Sequence, residues 1–176
     1  MIPYSRQFVD EKDIKEVVKV LKSPYLTQGP KILETEKYIS KYVGSKYAVL
    51  VSSCSAGLHI ACKAIDIKKN EKVITTPISF VSTANSATHC GAKVIFSDID
   101  TDTINLSPHH LSKTLKNNSN VKCVIPVHMA GAPVNMKEIY NISKFNKLKI
   151  IEDAAHALGA KYENGSKVGS CKYSDM

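Results

Sequence analysis

From Tyr47 onward the sequence alternates short β-rich apolar runs with helix-patterned segments, and this alternation limits the possible folds more than any other feature. Tyr47 to Val51, Lys72 to Thr75, Lys93 to Ser97, Val121 to Val127 and Lys149 to Ile151 read as strands. The buried ones are continuous apolar runs, as expected for strands covered on both faces. Residues 56–66, 80–90, 107–117 and 136–146 read as the helices between them. Such a pattern predicts an α/β fold with a mostly parallel sheet and helices on both of its faces.

Two helices precede this region. Asp10 can cap a helix whose apolar positions Ile14, Val17, Val18 and Leu21 recur at i, i+3, i+4 and i+7, and Ser23-Pro24 ends it. After the loop Tyr25-Leu26-Thr27-Gln28-Gly29, Pro30 opens a second helix running to about Val43, which Gly44 stops. Residues 1–45 are therefore expected to form an N-terminal helical arm and 46–176 an α/β domain. Past Gly159 the chain turns at Glu163-Asn164-Gly165 and reaches Met176 with no strand or helix to close the sheet. An uncovered sheet edge is an aggregation hazard, so the expectation is a piece of a longer protein.

Composition narrows the function classes. A 43% hydrophobic chain can bury a core, yet no stretch approaches the roughly 18 apolar residues of a membrane span. Met1-Ile2-Pro3-Tyr4 lacks the basic and apolar regions of a signal peptide, so a cytoplasmic protein without a membrane partner is expected. The five cysteines form no C-x-x-C, which predicts neither a disulfide framework nor a metal site. The net charge of +8 comes from lysines spread among acidic residues, with Arg6 the only arginine. A solvated lysine-rich surface fits this better than a nucleic-acid-binding face, and an anionic small substrate is compatible with it.

Three constellations could carry chemistry. Ser52-Ser53-Cys54-Ser55-Ala56-Gly57 lies at a strand-to-helix turn, where helix N-terminal N–H groups can cradle a phosphate. An ordinary serine cap and a Cys54 nucleophile are the alternatives. Thr76-Pro77-Ile78-Ser79-Phe80 follows another strand, so Phe80 either stacks on a planar ligand at the sheet edge or packs in the core. His128, placed likewise in Val127-His128-Met129-Ala130-Gly131, lines the same crevice or makes a local hydrogen bond. The third is Glu152-Asp153-Ala154-Ala155-His156 at the end of the last strand. A phosphate cradle, an aromatic face and a buried carboxylate together describe a site for pyridoxal 5′-phosphate, whose pyridinium needs a carboxylate partner. A helix cap with a surface histidine is the competing reading of Asp153 and His156.

With these residues in place, the order and spacing of the segments resemble the N-terminal half of the DegT/StrS-type nucleotide-sugar aminotransferases over essentially the whole chain. Ile2-Pro3-Tyr4, Leu26-Thr27-Gln28-Gly29-Pro30, Pro77-Ile78-Ser79-Phe80, Pro126 to Gly131 and Glu152 to Gly159 are similar to the branch acting in pseudaminic acid biosynthesis. The resemblance implies a type I aminotransferase fold, truncated, with residues 46–176 forming part of the cofactor-binding large domain. It implies that Cys54, Ser55 and Ala56 hold the cofactor phosphate, Phe80 stacks on the ring, Asp153 pairs with the ring nitrogen and His156 sits near the phenolic oxygen. Tyr4, Leu26 and Thr27 match the part of the arm that approaches the sugar nucleotide. The implied partners are a UDP-linked 4-keto-6-deoxy sugar, glutamate as amino donor and a second copy of the chain.

In the family a Ser-Phe-His-Pro-x-Lys-like segment follows the match to Lys172-Tyr173-Ser174-Asp175, and its lysine forms the Schiff base and moves the proton. No lysine of this chain lies in such a motif, so no catalytic residue is expected before Met176 and the 176-residue piece is expected to lack transamination. A sugar 3-dehydratase of the same family, in which histidine replaces that lysine, and a non-catalytic cofactor-binding remnant are the competing expectations.

Overall fold

The computed structural model describes residues 6–176, so Tyr4 lies outside the described residues. Helix α1 (Glu11–Leu21) starts at a reciprocal capping box: the Asp10 side chain accepts from Lys12 and Asp13 N–H, while Asp13 accepts from Asp10 N–H. Helix α2 (Pro30–Val43) begins on its proline and ends at Gly44, whose φ of +86° is the left-handed conformation glycine adopts freely. Both helices follow the sequence reading.

The α/β region contains α3 (Cys54–Ala64), β1 (Lys72–Thr75), α4 (Val81–Thr88), β2 (Lys93–Phe96), α5 (Pro108–Lys116), β3 (Val121–Ile125), α6 (Met136–Phe145) and β4 (Lys149–Ile150). All three strand pairings are parallel, and the order across the sheet is β2-β1-β3-β4. Side chains of successive strand residues point to opposite faces, and the core splits accordingly. Val73, Cys123, Ile125 and Ile151 pack with α3 and α4 residues such as Leu58, Cys62 and Ala87. Ile74, Val124 and Ile150 pack on the other face with Leu111, Met136, Ile139, Tyr162 and Val168. The expected sheet covered on both faces is what the chain forms.

One strand expectation is corrected. Tyr47 to Val51 is extended but belongs to no strand ladder among the described residues, and Tyr47 and Val49 are 74% and 75% exposed. A strand requires a neighbour for its backbone groups. Here Leu50 N–H is instead taken by the Glu36 carboxylate at 2.8 Å, and Tyr47 C=O by the Ser45 hydroxyl at 2.8 Å. The expected bare edge beside β4 is also modified, because Asp175 N–H donates to Ile150 C=O at 2.9 Å and Glu152 N–H to Met176 C=O at 2.8 Å.

Candidate active site

The parallel sheet brings all strand ends to one edge, and β2 and β3 flank β1 on opposite sides, which opens a crevice at that switch in direction. The crevice encloses about 570 Å³ and is lined by residues following three strands: Ser79, Phe80 and Ser82 after β1, Val127 to Met129 after β3, and Asp153, Ala155 and His156 after β4. Cys54, Ser55 and Leu58 of α3 complete it. A volume of this size suits a small-molecule ligand. Among the described residues no lysine lines it.

Strand alternation explains how Asp153 reaches this place. Ile150 faces the α5/α6 side and Ile151 the α3/α4 side. Glu152 therefore returns to the first side and Asp153 to the second, beside the N-termini of α3 and α4. The bridge between Val127 and Asp153 extends the β3–β4 pairing and fixes this register, with His128 N–H donating to Asp153 C=O at 3.0 Å. Asp153 is 6% exposed, and the Thr83 hydroxyl donates to its Oδ2 at 2.6 Å. Its Oδ1 faces Cys54 Sγ at 3.8 Å and accepts from Ala155 N–H at 3.3 Å.

At the N-terminus of α3, Ser53 caps the helix by accepting from Ala56 N–H at 3.2 Å. The serine-cap and phosphate-cradle readings thus coexist, but the Ala56 N–H is already engaged. Among the described residues Cys54 and Ser55 N–H have no protein acceptor and remain available at the positive end of the helix dipole. Ser55 Oγ also bonds Ser82 Oγ at 2.7 Å, joining the α3 terminus to α4. The Cys54 thiol is pushed above its ordinary value, first by burial and then by the Asp153 carboxylate, which is the reverse of what a nucleophilic thiolate needs.

Phe80 is the N-cap residue of α4 and is 73% exposed, so it is not a core residue; its ring borders the crevice. No helix starts at Asp153: turns at Ala155-His156 and Leu158-Gly159 follow it, and His156 is an exposed side chain on the crevice wall. Gly131 lets that wall approach, since at φ +86° a Cβ there would come within 2.8 Å of the His156 carbonyl oxygen. Leu26, 65% exposed, lies elsewhere, beside a second hollow between α1 and α2, and Thr27 is exposed in the same loop.

Sequence reading missed two supporting groups. Ser79, Ser82, Thr83 and Ser86 recur at helical spacing, a hydroxyl stripe at positions usually apolar in a packed helix, and Ser79 lies 2.5 Å from Thr83 Oγ1. On the opposite face Glu152 accepts from His128 Nε2 at 2.8 Å, from Tyr162 Oη and from Ser174 Oγ. Val134 N–H donates to His128 Nδ1 at 3.0 Å, which puts the ring proton on Nε2. Burial pushes the Glu152 carboxyl up, but the hydrogen bonds from His128, Ser174 and Tyr162 outweigh it and hold the group below the usual glutamate range. Burial and the Glu152 charge raise the Tyr162 phenol, keeping it a donor.

The donor set matches a phosphorylated pyridine: free helix N-terminal N–H groups, an exposed aromatic ring and a nearly buried carboxylate surround one space. Comparison with known proteins points the same way. A model of the DegT/DnrJ/EryC1/StrS aminotransferase family matches residues 7–175. The chain is 41% identical over 171 residues to the UDP-4-amino-4,6-dideoxy-N-acetyl-beta-L-altrosamine transaminase of Campylobacter jejuni, covering 97% of this chain and 45% of that protein. It superposes with a TM-score of 0.89 and 32% identity on Helicobacter pylori PseC, an aminotransferase involved in pseudaminic acid biosynthesis, over 94% of this chain and 44% of that one. A GDP-4-keto-6-deoxymannose-3-dehydratase with a trapped PLP-glutamate geminal diamine matches with a TM-score of 0.86 and 28% identity, over 92% and 43% of the two chains. The chain spans 41% to 45% of the length of the curated relatives it matches.

Proposed function

Because the chain belongs to the DegT/DnrJ/EryC1/StrS aminotransferase family, whose cofactor is pyridoxal 5′-phosphate, we propose that it forms the cofactor-holding part of a nucleotide-sugar transaminase. The reaction is conversion of a UDP-linked 4-keto-6-deoxy sugar to the 4-amino sugar in pseudaminic acid biosynthesis, with glutamate as amino donor. The observation that carries this reading is the meeting of Cys54, Ser55, Phe80, Asp153 and His156 around one crevice. The likeness to the altrosamine transaminase and to the Helicobacter enzyme supports the choice of sugar.

When bound, the cofactor supplies an electron sink for the pair released as a Cα–H bond breaks. The residues of this chain bind and tune it. The Cys54 and Ser55 N–H groups would take the phosphate, with the Ser55 hydroxyl exchanging its bond to Ser82 for one to a phosphate oxygen, while the Ala56 N–H stays with its Ser53 cap. Phe80 offers its exposed face to the ring. Asp153 holds the proton on the ring nitrogen, its low exposure keeping water from competing. His156 serves the phenolic oxygen from the crevice wall. Tyr4, Leu26 and Thr27 belong to the sugar-nucleotide side, in a homodimer. Its five unpaired cysteines fit the reducing cytoplasm.

The test is to incubate the protein carrying this sequence with pyridoxal phosphate, glutamate and the UDP-linked 4-keto sugar, and to read the product by mass spectrometry. A 4-amino sugar supports the proposal. The likeness to a 3-dehydratase supports a second reading, and loss of the 3-hydroxyl without amino transfer would establish it instead.

A further inference from the structure

Asp153 does not stand alone in the crevice. A carboxylate can only accept, so the 2.6 Å contact with Thr83 spends the single Thr83 hydroxyl proton on Asp153 Oδ2. Thr83 Oγ1 must then accept from Ser79 at 2.5 Å, which gives the chain of donors one direction, Ser79 to Thr83 to Asp153. Thr83 is 1% exposed, so no water replaces either partner without opening the α4 packing. The backbone holds the relay in place: Thr83 N–H bonds Phe80 C=O at 3.0 Å, and Ser86 Oγ bonds Thr83 C=O at 2.8 Å. With Oδ2 occupied, Oδ1 is left on the side of Cys54, toward the crevice.

Resting on the function proposed above, we infer that Thr83 is a positioning residue: it orients the Asp153 carboxylate toward the cofactor's ring nitrogen and thereby sets how firmly that nitrogen keeps its proton. The relay couples this orientation to the segment that presents Phe80, because Ser79 and Thr83 bracket it in sequence and bond each other across it. Loss of the Thr83 hydroxyl leaves Oδ2 without a partner and the carboxylate held only through Oδ1, by the long contacts from Ala155 N–H and the Cys54 thiol.

The experiment uses pyridoxal 5′-phosphate labelled with ¹⁵N in the ring, titrated into the wild-type chain, Thr83→Val and Thr83→Ser. Affinity is read by equilibrium dialysis and ring protonation by the ¹⁵N shift across pH. Thr83→Val is expected to bind about tenfold more weakly and to lose the ring proton at a lower pH, that is, at about tenfold higher hydrogen-ion activity, while Thr83→Ser behaves as wild type. Thr83→Cys, whose thiol is a much weaker donor to Oδ2, serves the same comparison if the valine variant does not fold. An unchanged protonation midpoint in the hydroxyl-free variant overturns the inference, even with weaker binding, because a purely structural loss lowers affinity without moving the midpoint. Failure of the wild-type chain to bind the cofactor overturns the functional reading itself and the inference with it.

Discussion

His128 Nε2 and Glu152 Oε2 meet at 2.8 Å with side-chain exposures of 0% and 3%. The pair ties the segment after β3 to the segment after β4 on the α5/α6 side of the sheet, and Tyr162 and Ser174 add two further donors. Since Glu152 precedes Asp153 in sequence, this anchor fixes the backbone from which Asp153 projects.

Glu152→Gln is expected to cost about 2 kcal/mol at neutral pH, as a hydrogen-bonded buried charge is exchanged for an amide that cannot accept all three donors. The folded-state carboxyl lies below its unfolded value. Its contribution is therefore present above the unfolded pKa of about 4.3 and is lost as pH falls from there through the folded pKa. Urea unfolding of both proteins across acid and neutral pH checks this, and the gap should close in acid. A gap of constant size would mean that packing, not charge, is being measured.

Gly131→Ala should destabilise the chain more than Gly165→Ala. Both positions have positive φ, +86° and +80°, but only at Gly131 does a Cβ meet a backbone atom, the His156 carbonyl oxygen at 2.8 Å. The strained conformation alone costs about 1–2 kcal/mol, and the forced displacement adds to it at Gly131. Melting temperatures of the two variants provide the comparison.

Cys54 should alkylate slowly in the wild-type chain and severalfold faster in Asp153→Asn. Burial raises the thiol first and Asp153 second, and the substitution removes only the second cause. Peptide mapping after a timed iodoacetamide pulse reads the rate, with fully buried Cys123 as the internal standard. Equal rates in the two proteins would show that the carboxylate does not act on the thiol.

The helices, the parallel strands and the two-faced core were legible because each rests on local pattern: capping at Asp10, proline at Pro30 and the apolar runs at Lys72, Val121 and Lys149. Tyr47 to Val51 was misread because pairing is a property of a neighbour, which composition does not contain. Crevice residues were legible by their place after strands and through family resemblance. The supporting contacts were not, since Thr83 and Asp153 lie 70 positions apart and His128 and Glu152 lie 24 apart. The sheet register, with the packing of α4 on it for Thr83, brings the pairs together.

The most direct test of the account is equilibrium dialysis of pyridoxal 5′-phosphate against the wild-type chain and Asp153→Asn, with folding of both verified by circular dichroism. The account predicts saturable binding of one cofactor per chain, weakened at least about tenfold by a substitution that removes the charged partner of the ring nitrogen. Equal affinity in the two folded proteins would contradict the role given to Asp153.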